Sequence, residues 1–424
     1  MQDQVNLEAS EGNGGPKLFG ERIAKWCIYA LIAFPIIDYA LRLSPISPLG
    51  SIWDKVVLIL LAIIALNRYI RGHRPAGFAW SKFAGWYILY AFALVLVGLG
   101  HPSTAFNGFR MDIYYILFGL LMPFVIEPKD VPKFLYALGG VAILIGVHGV
   151  IQYALKPQIP SGWVDVTENV RTRVFSVLKS PNELGAFMEV MVPVIFGLFM
   201  FERNRLRKWV YGIGGLCCLL TLLFTYTRGA WMGLGLAVLV VAVIFERRLL
   251  IVIAVVAVIG FFLPPIHHRI MDLFSPVYMI KSTQGGRIVR WMTAFDQMSS
   301  NPLFGVGVGR YGGAIASQAG YSIYSDNYYA KILGESGLLG LVLFISMHVS
   351  ILREMIRTVV KRASGRQRFL ALGGLTGIMA MLIHNFVENV FEYSPSMVIY
   401  IMTVSLFLLW GRSLQPDDGG KQDE

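Results

Sequence analysis

Charge is scarce in this sequence, and cysteine is scarcer. Only 15% of its 424 residues are Asp, Glu, Lys or Arg, where soluble domains carry about 25%. The three cysteines, Cys27, Cys217 and Cys218, all lie in apolar segments. They form no disulfide framework and no metal-binding spacing, and read as space-filling thiols. His, Cys and carboxylates nowhere cluster with metal-ligand spacing. Internal repeats and a recognisable soluble domain are also missing. The polar, Gly-rich opening MQDQVNLEASEGNGGPKLFG is not read as a signal peptide, because the apolar run after it is long and lacks a small-residue cleavage site. What is plentiful is hydrophobicity: 55% of residues, with a mean hydropathy of +0.60. Runs of about 18–20 apolar residues recur, the length that crosses a roughly 30 Å hydrocarbon core as a helix. Disordered, fibrous and disulfide-stapled classes are excluded. A polytopic membrane protein is expected.

A backbone facing lipid must satisfy its own hydrogen bonds, so the spans are expected to be helices. The apolar pattern predicts about twelve, at 23–42, 53–70, 82–100, 110–126, 134–155, 182–201, 208–226, 230–246, 249–265, 326–352, 368–389 and 395–411. They form one membrane domain over 23–411, between tails at 1–22 and 412–424. An even count places both tails on one side. The net charge is +11, from 37 basic and 26 acidic residues. In a membrane protein the position of those charges matters more than their sum. Short basic connections, among them RYIRGHRPAGFAWSK, ERNRLRK and REMIRTVVKRASGRQR, together with the tails and Lys25 at the start of the first span hold 23 of the 37 Lys and Arg. That side is expected to be cytoplasmic, and the excess of positive charge calls for no nucleic-acid partner.

The opposite side carries two long loops, about 156–181 and 266–325, a tight turn at Thr227-Arg228-Gly229, and the last loop ENVFEYSPS. Loops longer than about 15 residues in a compact fold are usually functional or disordered, so a site on this face is expected. Within the larger loop, GGRIVRWMTAFDQM reads as an amphipathic helix with Ile288, Met292, Phe295 and Met298 near one face. This side should be poor in Lys and Arg, yet it holds the remaining 14. Arg171, Arg173 and Lys179 cluster in the first loop, Arg228 opens a span, and Lys281, Arg287, Arg290 and Arg310 lie in the second. The planar guanidinium fork matches phosphate oxygens, and converging arginines outside a membrane would seat a diphosphate. The competing role is pairing with lipid headgroups or with loop acids such as Asp165 and Glu168. Arg228, set between two apolar spans, is the sharpest case.

Asp326-Asn327-Tyr328-Tyr329 opens the tenth span. Asp326 is suited to two roles: a helix cap stabilised by the dipole, or a general base that takes a proton from a sugar hydroxyl while nearby arginines keep it ionised. His267 and His268, at the start of the large loop, are candidates for the same rim. His148, His348 and His384 fall inside spans and read as packing or interhelical hydrogen bonds. Asp38 and Glu189 are isolated intramembrane acids, either marks of an ion path or satisfied by partners. GVGVGR lacks the strand–turn–helix context of a nucleotide-binding loop. Its glycines read as tight turns and close backbone approach.

Taken in order, several segments resemble the O-antigen ligase and polymerase superfamily of bacterial envelope glycan enzymes. Arg173 followed by FSVLKSPNELGAF, with Pro181-Asn182 before a span, is similar to one family motif. TRGAWMG is similar to a second, GRIVRW followed by NPLFGVGVGRYG to a third, and SDNYYAKILGESGLLGL to the closing helix. The resemblance runs from about residue 130 to 400. It implies an all-α, GT-C-like multi-span glycosyltransferase of the bacterial inner membrane, with a periplasmic site and an undecaprenyl-diphosphate-linked glycan as donor. The acceptor would be a glycan or lipid A-core. Cofactor, nucleotide sugar and metal are not expected. By position, Arg173, Arg228 and Arg287 would hold the donor diphosphate, assisted by Arg290; Asn182, Arg310, Asn327 and Tyr328 complete the candidate substrate contacts. Ligases of the family have His-Asn where this chain has Asp326-Asn327, which points to the polymerase branch, joining repeat units of O-antigen, capsule or exopolysaccharide. A chain-length regulator and a flippase would be its partners. The alternatives are an O-antigen ligase and, from a different class, a secondary transporter of an anionic solute. Transporters place their ionisable groups near the midplane of repeated halves, whereas the distinctive charges here lie in outer loops.

Overall fold

The computed structural model describes residues 18–98, 100–157, 172–262 and 286–414, with single positions at 267, 271, 280 and 283. Asp165, Glu168, Arg171, His268 and Lys281 lie outside the described residues. Each segment expected to span is helical over most of its described length: α1 (Glu21–Ile32), α2 (Phe34–Leu43), α3 (Trp53–Ile70), α4 (Ser81–Val97), α5 (Pro102–Val125), α6 (Val131–Leu155), α7 (Pro181–Phe201), α8 (Arg205–Phe224), α9 (Arg228–Ile244), α10 (Leu249–Phe262), α13 (Tyr328–Glu354), α14 (Gly365–His384) and α15 (Ser394–Ser413). Between α10 and α13 come α11 (Arg287–Ser300) and the short α12 (Ala314–Gln318). The described residues contain no strand.

The chain is an all-α polytopic membrane protein. Among the described residues, six helical stretches are long and apolar enough to cross a membrane, seven when α1 and α2 count as one bent span. Further apolar helices, α4 and α9 among them, are shorter. The first expected span is not straight. It bends by 75° at Ala33, where Pro35 has no N–H to continue the ladder.

The core is built around α15, 94% of whose spanning window is buried; α7 and α14 lie at its side, and α8 faces outward. Helices in lipid associate through close packing, and small residues allow it. On α14, Gly373 and Gly377 sit against the backbone of Pro193 and Val190 on α7, where a Cβ at Gly377 would fall 2.6 Å from the Val190 carbonyl. Large apolar side chains such as Ile63, Trp86, Trp209 and Val243 point out from the bundle, as a lipid-facing surface requires.

Helix α13 is broken within its length. Gly337 has φ 65° and ψ −167°, a backbone open to glycine alone at little cost. The Gly-rich turn docks into the break. Val306 N–H donates to the Gly334 carbonyl (2.9 Å), Gly307 N–H to that of Glu335 (2.9 Å), and Leu338 N–H to that of Pro302 (2.8 Å). The Tyr90 hydroxyl bonds the carbonyls of Leu303 and Ser336 at 2.8 and 2.7 Å. Backbone groups freed by a broken helix must be paired in this way, and the turn is thereby fixed to the bundle. The glycines of NPLFGVGVGRYGG therefore act as read: Gly305, Gly307, Gly309 and Gly312 all have positive φ.

Candidate active site

The connections between helices meet at one end of the bundle. Arg173 arrives on the strap leading into α7, held where Val174 N–H bonds the Phe224 carbonyl at 3.1 Å. Its Nε donates to the Thr225 carbonyl (2.9 Å), and its Nη2 donates to Asn182 Oδ1 (3.0 Å) and to the Thr227 hydroxyl (3.3 Å). Arg228 follows Thr227 directly and opens α9. There the Gly229 backbone lies so close to His384 and Val387 that a Cβ would meet the His384 Nε2 at 2.5 Å. Arg173 and Arg228 thus share one turn.

Arg287 and Arg290 come from the first turn of α11. Arg287 Nε approaches Asp326 Oδ2 at 3.4 Å, and Arg290 Nη1 reaches the same oxygen at 3.1 Å. Arg290 Nη1 also donates to the Tyr324 carbonyl at 2.9 Å. Asp326 caps nothing here. Helix α13 starts at Tyr328, and its cap is Asn327, whose Oδ1 accepts the Ala330 N–H at 3.0 Å. The capping role read for Asp326 therefore belongs to the next residue. Neighbours hold the Asp326 backbone on both sides: Trp291 Nε1 bonds the Ser325 carbonyl (3.1 Å), and the Tyr328 N–H bonds the Asn385 carbonyl (2.9 Å). Between them Asp326 has φ 51°, a left-handed conformation that Asp tolerates better than most residues. The side chains of Arg287, Arg290 and Asp326 are 38%, 26% and 23% exposed. Ion pairs this open are worth about 0–1 kcal/mol, so an incoming anion can take over the guanidiniums at small cost.

Glu388, in the turn after α14, joins the Arg173 group through Asn182. Its Oε2 accepts from Asn182 Nδ2 (3.0 Å), and its Oε1 accepts from the Tyr393 hydroxyl (3.3 Å) and the Asn389 N–H (3.3 Å). Burial, then the negative charge of Asp326, push its carboxyl above the ordinary value, while His384 and Arg287 pull it down. A polar path therefore runs from Arg173 through Asn182 to Glu388.

The other candidates fall elsewhere. Arg310 lies over the Tyr321 ring, 5.2 Å from its centre, in a cavity it shares with Arg290. Tyr328 is buried, its hydroxyl on Asp112 Oδ1 at 2.9 Å, and Asn327 spends its side-chain oxygen on the helix cap. Lys179 is exposed, and His267 stands edge-on to Phe261, 4.7 Å between ring centres. The intramembrane acids have partners: Asp38 pairs with Arg42 at 3.0 Å, and Glu189 with His384 Nδ1 at 3.0 Å. His384 thus makes the interhelical bond expected of the span histidines, whereas His148 bonds the Ser176 hydroxyl of the strap at 2.9 Å and His348 the Phe344 carbonyl of its own helix at 2.9 Å. The amphipathic α11 turns Ile288, Met292 and Phe295 outward. Trp291 and Ala294 dock instead, against Tyr311 and Ala330.

Sequence reasoning missed Glu388 and a second cluster beneath the site. Lys331 Nζ contacts Asp112 Oδ1, Glu335 Oε2 at 3.3 Å and Glu392 Oε1 at 3.6 Å, all nearly inaccessible. The two acids of ENVFEYSPS, set four residues apart in a short loop beside the expected site, were the available signal. Asp112 and Lys331 carried none beyond being charges in apolar segments.

Residues 213–345 match a family model described as O-Antigen ligase. The match supports the O-antigen ligase/polymerase superfamily. No curated protein matches the chain. The matched stretch carries Arg228, Arg287, Arg290, Arg310 and Asp326, whereas Arg173, Asn182 and Glu388 lie outside it and join the site through the fold. Members of the family are glycan-transferring enzymes, and a site rich in arginine at one end of a membrane bundle suits substrates that are lipid-linked glycans.

Proposed function

We propose that this protein is a periplasm-facing glycosyltransferase of the bacterial inner membrane that polymerises repeat units of O-antigen, capsule or exopolysaccharide, with undecaprenyl-diphosphate-linked glycan as donor. The observation that carries the reading is the Asp326 carboxylate held between Arg287 and Arg290. In this account Arg173, Arg228 and Arg287, assisted by Arg290, hold the donor diphosphate. Negative charge grows on that group as the bond to the anomeric carbon breaks, and cations already in place lower the barrier. Asp326, released from its arginines by the incoming phosphates, accepts the proton of an acceptor hydroxyl. The hydroxyl oxygen bonds the anomeric carbon with inversion, and undecaprenyl diphosphate departs with the electron pair.

The description O-Antigen ligase favours one second reading, transfer of the finished glycan to lipid A-core. The accumulated intermediate separates the two. Asp326→Ala cells should hold single lipid-linked repeat units if the protein is a polymerase, and long lipid-linked glycan if it is a ligase. Normal polymer in Asp326→Ala would remove Asp326 from the chemistry.

A further inference from the structure

Arg290, the partner of Asp326, also lines a cavity of about 590 Å³, within the roughly 300–1,000 Å³ of small-ligand sites. Its walls come from α11, the Gly-rich turn and residues 321–323. We propose that it seats an acidic sugar of the acceptor glycan, with the sugar's carboxylate held by Arg310 and Arg290. The assignment rests on the reading of Asp326 and its arginines as the transfer centre.

Three features of the lining point to this ligand. The first is charge: Arg290 and Arg310 are cationic, and among the described residues no acid lines the cavity. Among the described residues Arg310 has no carboxylate partner; it rests on the Tyr321 ring, which fixes the plane of its fork. Arg290 lines the same space, and only its Nη1 is spent, on Asp326 and the Tyr324 carbonyl, so its guanidinium adds a second positive charge to this wall. Two fixed forks facing a space without acid are matched by the paired oxygens of a carboxylate. The second is polarity of a sugar-binding kind. Thr293, Gln297, Asn301 and Ser322 bring hydroxyl and amide groups to the walls, able both to donate to and to accept from ring hydroxyls. The third is position. Arg290 belongs to both sites, so a sugar held here lies next to the carboxylate that would take its neighbour's proton. A positioned acceptor gains reactivity from orientation alone.

The test is binding by the purified full-length chain in detergent, comparing a glucuronate-containing tetrasaccharide with a neutral tetrasaccharide of N-acetylglucosamine. One charge-assisted contact is worth about 1.5–3 kcal/mol, so the acidic probe should bind at least tenfold tighter. Arg310→Gln should abolish that preference and leave the neutral probe within about threefold, and Arg310→Lys should keep part of it. Equal binding of the two probes, binding of neither, or a preference that survives Arg310→Gln would overturn the proposal. Should Arg310→Gln fail to fold, the wild-type comparison decides alone. The readout needs no turnover. An acidic preference that persists while arginine variants of the transfer centre still make polymer would therefore refute the proposed function and not the cavity.

Discussion

Asn182 and Glu388, 206 residues apart in the chain, share a hydrogen bond of 3.0 Å from Asn182 Nδ2 to Glu388 Oε2. With its donor face on Glu388, the Asn182 amide has its acceptor face free for Arg173 Nη2 at 3.0 Å. Glu388 therefore positions the Arg173 guanidinium through Asn182. Exchanging the two groups tests this. Asn182→Asp sets two carboxylates against each other, and Glu388→Gln removes a charge; each should lower polymer formation at least tenfold, as expected for a lost charge-assisted bond. The double variant Asn182→Asp with Glu388→Gln restores both contacts and the net charge, and should recover most of the activity. Chain-length ladders from the four strains check this, with protein levels held equal.

The Glu388 carboxyl is raised by burial and by Asp326. Its folded value thus stands above its unfolded one, and its contribution to stability falls as pH rises through that interval. Neutralising Asp326 removes one raising cause. Asp326→Asn should move the Glu388 titration to lower pH, read as the infrared carboxyl band that disappears in Glu388→Gln.

Lys331 is enclosed by Asp112, Glu335 and Glu392. Deleting one partner of a buried ionic cluster leaves charge uncompensated and costs about 3–5 kcal/mol. Lys331→Met should lower the unfolding midpoint in detergent strongly. The same change in an Asp112→Asn background should cost less, because the two residues are directly coupled.

Gly337 has φ 65°, and a Cβ there would fall 2.5 Å from the Leu303 carbonyl. Gly337→Ala combines backbone strain of about 1–3 kcal/mol with a clash against the docked turn. It should lower the unfolding midpoint and loosen residues 301–309, visible as faster amide exchange in that turn.

The helices were legible because runs of about 20 apolar residues permit little else in a membrane, and the TRGAW turn and the arginine surplus drew attention to residues that the fold brings near one another. The bend at Ala33 was not, since Pro35 alone does not say whether a span kinks or ends. The eleventh span was expected to reach 389 but stops at His384, where the Asn385 side chain turns back to bond the Met381 carbonyl at 2.8 Å. Periodicity identified α11 but not the side on which it docks, because Trp291 and Ala294 are chosen by the shape of Tyr311 and Ala330. Asn182–Glu388 and Lys331–Asp112 are contacts of tertiary packing across long separations, and local pattern carries no trace of them.

The central claim concerns transfer from a lipid diphosphate at a site built of arginines, and reconstitution tests it most directly. Purified protein in liposomes is given undecaprenyl-diphosphate-linked single repeat units, and both chain growth and release of undecaprenyl diphosphate are followed. Wild type should lengthen the glycan and release one undecaprenyl diphosphate per bond formed, while Arg228→Ala and Arg287→Ala, folded and inserted, should do neither. Chain growth persisting in both variants, or no growth with the wild type, would contradict the account.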